Sequence, residues 1–236
     1  MNVYIENILE RANPLTVTNM VGGFVMQALH DDALSNNITF AGTSTTINAE
    51  WGLNHFADSI AILGSNWTTG ILTIWSQGAI VFDRRITSKG KNTIIKLSDT
   101  FMISRIALNL SSIDPLEIGI LFVGRRVALP LFNVGMRYRL NITSRAERTR
   151  YGKVYGIMRP PLRSFEVTFS DIDNSRRLAM EEYIESVQFV KPHIVEPYEA
   201  DEFLPLYATL TDAGEFDKQK EGGFIWNTAL SYMEAK

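Results

Sequence analysis

Asp58-Ser59-Ile60-Ala61-Ile62-Leu63-Gly64-Ser65-Asn66-Trp67-Thr68-Thr69-Gly70-Ile71-Leu72-Thr73-Ile74-Trp75 holds two apolar runs separated by a glycine-led turn. The first run is short and almost continuously apolar, as expected of a strand buried on both faces. Gly64-Ser65-Asn66 supplies turn residues. In the second run Ile71, Thr73 and Trp75 fall on one face and Leu72 and Ile74 on the other, the period of a strand. Similar segments surround this pair: Phe24–Leu29, Asn37–Phe40, Thr45–Trp51, Ala79–Arg84, Thr93–Leu97, Phe101–Leu110 and Glu117–Val123. Short strands separated by Gly, Asn, Ser and Asp turns predict an antiparallel β-sandwich of jelly-roll type.

The pattern changes near Arg125. Between residues 137 and 163 stand Arg137, Arg139, Arg145, Arg148, Arg150, Lys153, Arg159 and Arg163, with Glu147 as the one acid. After Pro160-Pro161, Phe165, Val167 and Phe169 alternate with polar residues and predict a half-buried strand. Met180, Tyr183, Ile184 and Val187 then follow helical spacing, which predicts a helix over Asn174–Val187 capped by Asp173 or Asn174. Strands are expected around His193–Pro197, Leu206–Thr211 and Gly223–Met233, with a hairpin loop over Asp212–Gly223. The fold class read from these patterns is mainly β: a jelly-roll-like sandwich over 1–125, then a smaller α+β domain with one helix over 126–236.

Composition sets the bounds. The chain has 236 residues, 45% apolar and 21% charged, with a formal net charge of −3. That suits a packed globular protein and gives no global attraction to nucleic acid or acidic membrane. The absence of cysteine removes disulfides, thiol catalysis and cysteine-bound zinc. The N-terminus lacks the layout of a signal peptide, and no apolar run reaches the roughly 18 residues of a membrane helix. A soluble protein made in the cytoplasm, without membrane contact, is the expectation.

The search for chemistry is mostly negative. No P-loop, nucleophile elbow or paired-histidine metal motif is present. His30-Asp31-Asp32 reads as a solvated turn and His55 as a hydrogen-bonded surface residue. Asp171 and Asp173 lack the alternating oxygens of a calcium loop and read as turn and cap residues. No enzyme, cofactor or metal is therefore expected. Trp67, in a turn between strands, is a candidate carbohydrate contact; its structural alternative is a ring covering the end of the sandwich, with Trp51 and Trp75 in the core. The basic band could meet phosphates or an acidic partner. Residues 196–236 carry nine acids against three lysines. A basic and an acidic region on one chain suit head-to-tail association, which closes into rings; two solvated faces are the structural alternative. Arg145, Arg148, Arg150 and Arg159 are the candidate interface cations, with Glu199, Asp201, Glu202 and Asp217 as their partners.

Ala28-Leu29-His30-Asp31-Asp32, Ile38-Thr39-Phe40, Ile47-Asn48-Ala49-Glu50-Trp51 and the stretch from Asp58 to Trp67 together resemble the galactose-binding-like (discoidin-type) sandwich of tailed-phage minor tail proteins. Gly119-Ile120-Leu121-Phe122-Val123-Gly124-Arg125 before Leu129-Pro130 is similar to that group, and the strand–helix–strand region resembles the ring-forming domain of phage distal tail proteins. The resemblance implies a structural protein of the virion tail, assembled in the host cytoplasm. It implies a homo-oligomeric ring, expected to be a hexamer, that joins the tail tube to other tail-tip proteins, with DNA only passing through its lumen. The alternative is a carbohydrate-binding module of a host-recognition tail protein.

Overall fold

The computed structural model describes residues 1–19, 37–130, 136–142, 145–148, 150–151, 154–157, 161–197, 205–218 and 225–235. The first strands are β1 (Asn2–Ile5), β2 (Leu15–Val17), β3 (Ile38–Thr39), β4 (Ser44–Leu63), β5 (Thr69–Ser76) and β6 (Ala79–Thr87). They are followed by β7 (Thr93–Ser111), β8 (Glu117–Ile118) and β9 (Ile120–Ala128). Then come β10 (Arg137–Asn141), β11 (Arg145–Arg148), β12 (Val154–Ile157), β13 (Leu162–Ile172) and α1 (Asn174–Val187). The chain closes with β14 (His193–Glu196), β15 (Leu206–Ala213), β16 (Asp217–Lys218) and β17 (Trp226–Glu234). The predicted strand Phe24–Leu29 and the His30-Asp31-Asp32 turn lie outside the described residues. The chain divides into two compact units: Asn2–Val127 with Ile194–Pro205, and Ala128–His193 with Met1 and Leu206–Ala235.

The first unit is an antiparallel sandwich built on two long strands. The runs at 45–51 and 58–63, read from sequence as separate strands, form one strand, β4; those at 93–97 and 101–110 likewise form β7. The ladder between β4 and β7 is interrupted between Glu50 and His55 and again between Ala57 and Ser59. Such irregularities bend a strand, so one strand can serve two layers. The early half of β4 and the late half of β7 pair with β2 and β5, and β6 closes that layer on β5. The late half of β4 pairs with β9, beside β1, and β1 pairs with Ile194–Glu196 of β14. Ile47, Ala49, Trp51, Leu72, Ile74, Ile106 and Leu108 from one layer share a buried cluster with Ile60, Ile62, Leu121 and Val123 from the other.

Two hubs hold the sandwich's N-terminal segment in place. The Asn7 side chain caps the 3-10 turn Ile8–Arg11 by accepting from Leu9 N. It also accepts from Val123 N at 3.1 Å and donates to Leu121 O at 3.1 Å, tying the turn to β9. The carboxylate of Glu196, buried on β14, accepts from Tyr4 Oη at 2.7 Å and Asn2 Nδ2 at 3.0 Å, and pairs with Lys96 Nζ at 2.9 Å.

The second unit is α+β. β13 is flanked by β10 and β17, and β17 pairs with β15 and β16. β11 and β12 form a separate hairpin. Phe165, Val167 and Phe169 of β13 are buried, as their alternation predicts. The helix α1 spans the predicted residues, with Asp173 as its cap accepting from Arg176 N at 2.8 Å, and it buries Met180, Tyr183 and Val187. The predicted loop at Asp212–Gly223 is shorter than expected, because β15 runs to Ala213 and Asp217–Lys218 pair with β17. The fold class read from sequence is the one observed: mainly β, a sandwich and a smaller α+β part, with α1 the one α-helix among the described residues.

Candidate functional site

The outward face of the sandwich layer formed by β4, β7, β5 and β6 carries a group of interacting polar side chains. Gly70, Leu72 and Ile74 of β5 are buried, so Ile71, Thr73 and Trp75 point outward by strand alternation. Register sets their neighbours. Ile71 stands opposite Asn109 on β7 and Arg85 on β6. Thr73 stands opposite Ala107 and Asp83, and Trp75 opposite Arg105 and Ile80. On the next strand over, Thr46 faces Asn109 and Glu50 faces Arg105.

These side chains brace one another. Arg105 places its guanidinium 4.7 Å from the centre of the Trp75 ring and pairs through Nε with Glu50 at 3.3 Å. Such a cation is held by the ring's quadrupole against one face of the indole. Thr73 donates to Asp83 at 2.9 Å, and Thr46 to Asn109 Oδ1 at 2.7 Å. The latter bond uses Asn109's acceptor and leaves its amide donors for another partner. An open depression of about 440 Å³ lies at the Thr69 end, lined in part by Ile71, Asp83, Arg85, Asn109 and Ser111. Gly70 lies beneath it, where an added Cβ would stand 2.4 Å from Asn109 O. Only glycine permits this approach of β5 to β7.

Trp67, singled out from sequence, stands elsewhere. Trp67 is 2% exposed and belongs to the sandwich core, so its ring faces meet protein. The turn before it is tied to its neighbours: Ser65 N donates to Lys91 O and Asn66 Nδ2 to Pro115 O. Trp51 is core as expected, with Nε1 donating to Ile8 O at 2.7 Å, whereas Trp75, expected in the core, is half-buried on the outward face. His55 lies on β4 beside the Trp51 ring, 6.4 Å between centroids.

Arg145 and Arg148 stand on β11, with side chains outside what is described. Arg150 is exposed in the following turn, and Asp217 is exposed on β16 opposite Asn227. Arg159, Glu199, Asp201 and Glu202 lie outside the described residues. Of the two sets, Arg150 and Asp217 are the members whose side chains are described. The described residues hold no cluster of His, Cys, Asp and Glu that could grip a metal ion.

No protein-family model matches this sequence, and no curated protein does. Solved structures match about half of the chain. The family 32 carbohydrate-binding module from C. perfringens NanJ, in complex with galactose, is 10% identical with a TM-score of 0.43, covering 54% of this chain and 100% of that one. Chitosan-binding module 1 of a chitosanase/glucanase from Paenibacillus sp. IK-5 is 10% identical with a TM-score of 0.41, covering 50% and 98%. A Ruminococcus gnavus GH29 fucosidase is 14% identical with a TM-score of 0.43, covering 50% of this chain. The match covers 26% of that fucosidase and 28% of a second matching protein, SpGH29. At these identities and TM-scores the similarities assign no activity or ligand to this chain.

Proposed function

We propose that this protein is a non-catalytic carbohydrate-binding protein that reads its ligand on the outward face of β5. The observation that carries this is Trp75: an outward indole held by Arg105 and Glu50, in line with hydrogen-bonding side chains on both neighbouring strands. Sugars present an apolar ring face and a rim of hydroxyls, and this surface offers the complement of both. The face carries Arg85 and Arg105 against Asp83 and Glu50, an even charge balance, which suits a neutral polyhydroxylated ligand better than a phosphate backbone. Binding on a glycan array, abolished by Trp75→Ala with the melting temperature retained, is the expected result. Binding unchanged in Trp75→Ala removes this face as the site. Trp67→Ala is a poor probe, because removing a core indole destabilises by about 3–5 kcal/mol.

A second reading, a scaffold of a tailed-phage tail tip, draws on the α+β unit. There β10 is an edge strand, bonded to β13 alone among the described residues, with Tyr138, Leu140 and Ile142 exposed beside Arg137 and Arg139. Open edges invite pairing with another chain. In this reading the ring, the tail-tube contact and the other tip proteins are engaged through this unit, and the sandwich meets the host glycan. Rings seen by electron microscopy and lost on charge reversal of Arg148 and Arg150 are its expected outcome; rings of unchanged size in the reversed variant sink the interface.

A further inference from the structure

We infer that the β5 face takes an internal segment of a linear, neutral polysaccharide laid along the strand, rather than a terminal sugar; this rests on the carbohydrate reading above. The layout of the face is the reason. Ile71 and Trp75 form an apolar stripe down the middle, with Thr73 between them. Asn109 and Arg105 on β7 make a polar rail on one side, and Arg85 and Asp83 on β6 make a second rail on the other. Outward residues on one strand recur every two positions, so the apolar stripe from Ile71 to Trp75 is about 13 Å long and the outward row from Thr69 to Trp75 about 20 Å. That is several pyranose rings in a row, not one.

A terminal-sugar site surrounds one ring with convergent polar groups. Here the polar groups do not converge. They are spaced along the strand: Asn109 and Arg85 flank Ile71 on its two sides, Asp83 stands beside Thr73 across from Ala107, and Arg105 stands beside Trp75 across from Ile80. A β-linked chain with equatorial hydroxyls matches that spacing: its ring faces rest on Ile71 and Trp75, and its hydroxyl rims reach the two rails. The rails are preset for this. Asn109 spends its oxygen on Thr46 and so turns donors to the ligand, while Asp83 receives Thr73 on Oδ1 and keeps Oδ2 as an acceptor. Axial hydroxyls or a branch would lift the ring from the stripe. The depression by Ile71, Arg85 and Asn109 extends the path past Ile71 toward Thr69 and Ser111.

The experiment is calorimetric titration of the full chain with glucose, xylose and N-acetylglucosamine, and with cellohexaose, xylohexaose and chitohexaose. A glycan array of branched and terminal-sugar structures is run alongside. At least one hexaose should bind more than about tenfold tighter than its monosaccharide, a gain of more than about 1.4 kcal/mol. Affinity should climb with chain length between two and six rings. Trp75→Ala and Arg85→Ala should each weaken that binding by about tenfold or more, with circular dichroism and melting temperature retained; Arg85 is on an exposed edge strand and its truncation leaves the core intact. A monosaccharide that binds as tightly as its hexaose overturns the extended-chain inference. So does array binding confined to terminal sugars and lost in Trp75→Ala, which leaves the carbohydrate reading standing. Silence from every hexaose and every array glycan overturns both.

Discussion

His193 sits 3% exposed at the end of the α+β unit's middle segment, between two tyrosine rings. Its Nδ1 is 3.0 Å from Lys191 O and its Nε2 is 2.6 Å from Tyr183 Oη, which lies 3.1 Å from Tyr232 Oη. A neutral imidazole satisfies this line: Nδ1–H donates to the carbonyl, Nε2 accepts from Tyr183, and Tyr183 accepts in turn from Tyr232. Burial pushes both phenols up and pulls His193 down to about 4, although the Lys191 carbonyl works the other way. The unfolded chain protonates its histidine near 6.5. Acid therefore favours the unfolded state: the full stability is present above about pH 6.5 and is lost as pH falls through about 4. The gap corresponds to about 3 kcal/mol for complete protonation. Urea denaturation at pH 7, 6, 5 and 4 should show this loss in the α+β unit. His193→Gln, less stable at pH 7, should flatten the slope; an equally steep slope in that variant would place the acid sensitivity elsewhere.

At the scale of elements, sequence legibility follows how local the cause is. The helix α1 was readable to its ends because its cap, Asp173, and its apolar period lie within the segment. Ser175 and the Arg176 amide hold the Asp173 carboxyl below its usual range, as expected of a cap that stays ionised. The two faces of β5 were readable for the same reason, but which face is outward was not. That choice depends on β6, where Asp83 and Arg85 fall opposite Thr73 and Ile71; pairing the strands' charges in sequence would have placed Trp75 outside. The joining of 45–51 to 58–63 was not readable, since a ladder irregularity is set by the partner strand and Gly52 is its one local trace. Gly70 shows what such partner-set constraints weigh. A methyl there would press on Leu110 Cδ2 at 2.9 Å and on the Asn109 carbonyl at 2.4 Å, and that backbone oxygen cannot retreat without parting β5 from β7. Gly70→Ala should cost about 1–3 kcal/mol, seen as a lower melting temperature, and should shift the Asn109 resonances. An unchanged melting temperature would mean the two strands are not as close as described.

At the scale of the whole chain, the sandwich unit is discontinuous: Ile194–Pro205 returns to it after the α+β segment. The return is anchored by Glu196, whose Oε2 gathers Tyr4, Asn2 and Lys96 from β1 and β7. Nothing in the sequence marks this clasp, because its members are up to 194 positions apart and only the fold unites them. Asn92 adds a second tie, donating to Pro205 O at 2.9 Å. A fragment ending at residue 125, the boundary expected from composition, would leave Lys96, Tyr4 and Asn2 without their shared carboxylate. Glu196→Gln in the full chain isolates the electrostatic part. The amide keeps an acceptor but cannot balance the Lys96 ammonium, and hydrogen bonds to a charged acceptor are worth about 1.5–3 kcal/mol each. Lys96 is partly exposed, so water recovers some of that loss, and a destabilisation of about 2 kcal/mol is expected. Lys96→Met combined with Glu196→Gln should recover part of it, because the second change removes the orphaned charge. Calorimetry on the four proteins of this cycle reads the coupling directly. Additive losses would mean that the Lys96–Glu196 pair itself contributes nothing.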